Sequence, residues 1–144
     1  MKNHNGDIMK IHVINYQFDN LYNKLYDSDW LEAELIMIIS KRKIKINLEF
    51  LIIEELERIY FWLIQILNKN YADSKLEFID PNLKFKIMTR SKIPVLKIIY
   101  YMNDTKIECW ELIINTANIN SLANKINKII INYPCRCGKT HNIN

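Results

Sequence analysis

Leu76-Glu77-Phe78-Ile79-Asp80-Pro81-Asn82-Leu83-Lys84-Phe85-Lys86-Ile87-Met88 decides how this chain is read. Leu76 and Phe78 share one face before the hinge, and Leu83, Phe85 and Ile87 share one after it, with Lys75, Glu77, Lys84 and Lys86 between them. Period-two alternation on both sides of a Pro-Asn turn predicts two neighbouring strands joined by a hairpin or a sharp corner. Proline presets φ and offers no donor, while Asp80 and Asn82 can bond back to nearby backbone, so the bend has a mechanism.

The same alternation recurs upstream. Met9, Ile11 and Val13 alternate with Lys10 and His12 in a strand over Ile8 to Phe18, and the pattern blurs at Ile14 to Phe18 as a bulge or a twist would make it. Asp19 to Ser28 is a polar loop holding Tyr22 and Tyr26. In Trp30 to Ile39 one side is Leu31, Ala33, Leu35, Met37 and Ile39. The other side runs Trp30, Glu32, Glu34, Ile36, Ile38, polar and then apolar, as if only its far end were covered. Ser40-Lys41-Arg42 turns the chain into Lys43 to Phe50, where Ile44, Ile46, Leu48 and Phe50 point inward.

From Ile52 to Asn68 the period changes. Leu56, Ile59, Tyr60, Leu63, Ile66 and Leu67 form a helical stripe, with Glu54, Glu57, Arg58 and Gln65 opposite and Trp62 at the border. Glu54 and Glu55 suit the positive end of the helix dipole, and the Glu54–Arg58 pair adds roughly 0.3 kcal/mol. No hydroxyl, Asp or Asn caps that start, so tertiary packing must hold it. After the Leu76–Met88 hairpin, Ile93 to Met102 and Ile107 to Asn115 read as strands joined by Asn103-Asp104-Thr105, with Pro94 suited to a strand's beginning or edge. Ile119 to Tyr133 is an amphipathic helix with Asn118 or Asn120 to start it and Pro134 to stop it. The expected fold is α+β: a twisted antiparallel sheet of about seven strands, in the order three strands, helix, four strands, helix, with both helices packed on it. Residues 1–134 make one domain in this reading, and 135–144 a polar tail.

A chain of 144 residues, 49% hydrophobic and 25% charged, can bury a core without staples. Met1 to Lys10 has no signal-like apolar run, and Leu51 to Leu67 is interrupted by Glu54, Glu55, Glu57, Arg58 and Gln65. With three cysteines, an odd number, a cytoplasmic protein is expected.

The residues do not assemble a catalytic set. Two glycines cannot build a phosphate loop, and none of His4, His12 and His141 has a Cys or Ser partner that suggests a nucleophile and its base. Cys135, Cys137 and His141 are three potential metal ligands at an unusual spacing, read as an exposed tail, and Cys109 beside Trp110 is read as core. The expectation is no enzyme, no cofactor, no metal and no small-molecule ligand.

The net charge of +4 is unevenly spread. Between Asp19 and Glu34 five acids face one base, and between Lys84 and Lys106 six bases face one acid. Phe85, Tyr100 and Tyr101 within the basic strands raise a nucleic-acid-binding module as the alternative function. Against it, the lysines alternate as outward neighbours of apolar residues and no Gly-aromatic RNA-binding pattern is present, so nucleic acid is not the expected partner. The acidic segment mixes carboxylates with aromatic anchors, as a surface for a basic protein partner would. Asp19, Tyr22, Tyr26, Asp27, Asp29, Trp30, Glu32 and Glu34 are the candidate contact residues.

The ordered segments resemble the WapI-like family of bacterial immunity proteins. The matching pieces are Tyr16-Gln17-Phe18, Tyr26-Asp27-Ser28-Asp29-Trp30-Leu31, Glu54-Glu55-Leu56 with Trp62-Leu63, and the hairpin from Leu76 to Phe85. Trp110-Glu111-Leu112 and the final helix closing on Tyr133-Pro134 complete the set. The chain departs from that pattern at Asp80, where Glu is usual, and in the uncapped helix. The resemblance implies a cytoplasmic protein that binds the C-terminal domain of a polymorphic toxin of contact-dependent inhibition and blocks it. The best-known toxin of that type is a tRNA-directed nuclease.

Overall fold

The computed structural model describes residues 8–16, 30–69, 74–78, 81–90, 93–103, 106–113 and 115–134. Its elements are β1 (Ile8–Tyr16), β2 (Trp30–Ile39), β3 (Arg42–Ile52), α1 (Ile53–Leu67), β4 (Lys75–Glu77), β5 (Leu83–Arg90), β6 (Ile93–Asn103), β7 (Lys106–Ile113) and α2 (Thr116–Asn132). The α+β class and the order of elements are those expected. Among the described residues the strands do not form one continuous sheet, however. They divide into an antiparallel β1-β2-β3 sheet and an antiparallel β4-β5-β6-β7 sheet. Hairpin connectivity could not reveal that break, because it lies between β3 and β4, where α1 is the connection.

Each sheet turns one apolar side inward. Met9, Ile11 and Val13, then Leu31, Ala33, Leu35 and Met37, then Ile46 and Leu48 are buried in the first sheet. Leu76, Leu83, Phe85, Ile87, Leu96, Ile98 and Leu112 are buried in the second, and both sets belong to one hydrophobic cluster with the two helices. Leu76–Met88 forms the expected pair of neighbouring strands; their register sets Leu76 opposite Phe85, and Ile87 N–H donates to the Ser74 carbonyl at 2.8 Å to extend the pairing. Phe78 meets Phe85 edge-on at 4.9 Å between ring centroids. Asp80 lies outside the described residues. Pro94 stands near the start of β6, one residue before the first position paired with β7, so its missing N–H breaks no bond to that neighbour.

Packing corrects three sequence readings. Buried positions on α1 run from Trp62 round through Leu56 to Glu57, roughly 220° at 100° per residue. The stripe is therefore wider than expected, and Glu57 is buried instead of facing solvent. Trp62 stands at the border of the stripe, as expected, and is buried there because it packs against Phe85 of the second sheet at 6.2 Å and donates from Nε1 to Ser74 Oγ at 3.1 Å. The start of α1 has no capping side chain at Ile52, as foreseen, but Glu55 reaches back to accept from the Ile52 N–H at 3.3 Å. α2 begins three residues earlier than its apolar stripe, because Asn115 caps it by accepting from Asn118 N–H at 2.8 Å. Cys109 is exposed, not core: Trp110 and Leu112 take the inward positions of β7, so their neighbour must point out.

Candidate functional site

The bulge expected after Val13 is present and has a counterpart across the sheet. Val13 pairs with Ala33 and Asn15 with Glu32, leaving Ile14 as the extra residue of β1. On the other side Ala33 pairs with Leu48 and Leu31 with Leu51, leaving an extra residue in β3. Both neighbours of β2 thus bulge beside the same residue, Glu32. The β3 bulge changes the parity of the strand, so Leu51 is buried three residues after Leu48; the side chain of Phe50 lies outside the described set.

An open hollow of about 420 Å³ forms there, lined among the described residues by Ile14, Leu31, Glu32, Ala33, Glu34, Asn47 and Leu48. Ile14 stands 46% exposed at its rim. Its carbonyl accepts from the Tyr133 hydroxyl at 3.1 Å. In return the Tyr16 hydroxyl donates to the Pro134 carbonyl at 2.7 Å, and the two tyrosine rings meet edge to face at 5.3 Å. This reciprocal clasp ties the end of α2 to the bulged end of β1 and holds the rim in place.

The two glutamates of the hollow differ in electrostatic state. Glu34 accepts an ion pair from Lys45 at 2.8 Å and lies 3.6 Å from His12 Nδ1. The Lys45 hydrogen bond, then its charge, then His12 outweigh partial desolvation and hold the Glu34 carboxyl below its ordinary range. Glu32 is exposed, and no ion pair to it is seen among the described residues. Of the two carboxylates, Glu32 is the one still available to a partner.

The structure therefore brings together two of the predicted contact residues, Glu32 and Glu34. Trp30 opens β2, but its side chain lies outside the described residues, as do Asp19, Tyr22, Tyr26, Asp27 and Asp29. Sequence reasoning did not include Ile14, Asn47, His12 or Lys45. The blurred alternation at Ile14 was the available signal; the pairing of Lys45 with Glu34 had none, since it depends on register. Among the described residues no group of three or more His, Cys, Asp or Glu side chains could hold a metal, and Cys135, Cys137 and His141 lie outside them. No helix of the described residues is long and apolar enough to cross a membrane.

The family model of the immunity protein WapI-like family matches residues 1–134. The chain belongs to that family. Comparison with curated proteins and with solved structures finds no match. Two pieces that carried the resemblance, Tyr16 near one end of the matched stretch and Tyr133-Pro134 at the other, are the partners of the tyrosine clasp. Two others, Trp62 and the Phe78–Phe85 hairpin, meet in one aromatic group.

Proposed function

We propose that this immunity protein acts in the bacterial cytoplasm by binding the C-terminal domain of a cognate polymorphic toxin and occluding its active site, with no catalysis of its own. The observation that carries the reading is the hollow between two bulges, with Glu32 available on it, in a chain of the immunity family. A concave surface with one carboxylate that no described residue compensates suits a basic side chain from a protein partner. The acidic residues Asp19, Asp27 and Asp29 of the preceding segment would add long-range attraction. A nuclease acting on tRNA, whose own site must be basic to hold phosphate, is a toxin of fitting charge.

The test co-expresses the full chain with a candidate toxin domain taken from a neighbouring gene. Wild type should restore growth and bind the purified domain. Asp27→Lys with Asp29→Lys should slow association and flatten its salt dependence, and Glu32→Lys should weaken binding about tenfold or more. Absence of rescue by the wild-type chain would refute toxin neutralisation. Unchanged binding by the triple variant would move the interface to another face.

A further inference from the structure

From the outer face of the four-stranded sheet we infer a second binding surface, one for single-stranded nucleic acid. Register places Lys75 opposite Lys86 and Lys86 opposite Lys97, so three lysines from three adjacent strands stand in one row. All three lie on the side away from the core, since Leu76, Phe85, Ile87, Leu96 and Ile98 between them are buried inward. Like charges directly opposite across strands disfavour the sheet, and this row carries two such pairs in succession. An anion laid along the row would turn that repulsion into attraction.

The acids nearby compensate only part of the charge. Glu77 is shared between Lys75 at 3.2 Å and Lys84 at 3.6 Å, and Glu111 stands opposite Lys97 at the far end of the row. Among the described residues four lysines thus face two carboxylates. Tyr101 distinguishes a nucleic acid from an acidic protein. It is half-buried on the same face of β6, and the Lys84 ammonium lies 5.8 Å from its ring centre. From Lys97 to Tyr101 is four residues, about 13 Å of strand, so a ligand touching both needs phosphates at one end and a flat base several ångströms on. A cationic track beside an aromatic platform is the combination that binds single strands without reading sequence. The face lies on a different sheet from the hollow at Glu32, so it can operate independently of toxin binding.

Fluorescence anisotropy of a labelled mixed-sequence 20-nucleotide RNA, and of the matching DNA, against the full chain tests this. Three to four phosphate contacts predict a loss of affinity of about 20- to 50-fold between 50 and 200 mM salt. Lys86→Gln with Lys97→Gln should reduce the slope of log affinity against log salt by about 1.4, at about 0.7 per contact, and Tyr101→Ala should weaken binding at least about fivefold. Lys125→Gln with Lys128→Gln, exposed on α2, should leave binding within about twofold of wild type by the same logic, with all thermal midpoints preserved. No binding of either oligonucleotide at 50 mM salt, or an equal loss in the α2 control, would overturn the inference. So would displacement of RNA by poly-glutamate as readily as by unlabelled RNA, which would make the face a surface for acidic protein.

Discussion

If the tyrosine clasp holds the rim of the hollow, replacing Tyr16 and Tyr133 singly and together should expose a measurable coupling. The hydroxyls make hydrogen bonds of 2.7 and 3.1 Å to the Pro134 and Ile14 carbonyls at the protein surface. Water can replace each one, so Tyr16→Phe and Tyr133→Phe should each cost only about 0.5–1 kcal/mol, the low side of the range for neutral bonds. The edge-to-face ring contact at 5.3 Å and 71° survives those changes and is lost on truncation. The Tyr16→Ala and Tyr133→Ala cycle should therefore show a coupling of about 0.5–1.5 kcal/mol, the alanine double mutant being less destabilised than the sum of the singles. Urea unfolding with an unchanged m-value is the assay; each kcal/mol should also lower the thermal midpoint by about 2–4 °C for a chain of this size. Additivity of the alanine pair within about 0.3 kcal/mol would show that the rings do not support one another. The bulge would then have to be held by its own sheet.

Ser40 and Lys41 connect β2 to β3 with φ of 50° and 66°, both in the left-handed region, as a two-residue hairpin turn of the primed type requires. Ser40→Asn with Lys41→Gly should stabilise the protein by about 1 kcal/mol, read as a higher urea midpoint, because glycine carries no Cβ penalty there; no gain would mean that the turn relaxes in solution. Glu34 carries a pH signature. Its carboxyl is lowered from 4.5 in the folded state, first by the Lys45 hydrogen bond, so its contribution is fully present above that value and is lost as pH falls below it through the lowered one. The stability difference between wild type and Glu34→Gln should shrink as pH falls below 4.5; a difference that does not change on acidification would show that the Lys45 pair contributes nothing in solution.

Local patterning carried much of the fold. β2 spans Trp30–Ile39 as the alternation marked it, and Pro134 follows the end of α2 as a stop should. The blur after Val13 was a true bulge. Ile36, on the side of β2 that turns apolar, is buried while Glu32 on that side is exposed. These features depend on side-chain period and turn chemistry, which neighbouring residues set among themselves. Glu57 and Cys109 differ from the sequence reading for one kind of reason: each position depends on what lies across from it. A helix stripe drawn from hydrophobicity assumes one covered side, and the buried arc of α1 is wide enough to take in Glu57. Cys109 could be core or surface on composition, and only the inward turn of Trp110 and Leu112 sends it out.

The sequence by itself determined the elements, their order, the α+β class and the segregation of acidic from basic stretches, because propensity, alternation and charge are properties of contiguous residues. Tertiary structure alone decided that the strands part into two sheets and that two bulges from different strands meet at Glu32. It also assigned Glu34 to Lys45 while leaving Glu32 exposed, and put Lys75, Lys86 and Lys97 abreast. Those outcomes rest on register between strands distant along the chain, and a shift of one residue would turn every side chain involved to the other face.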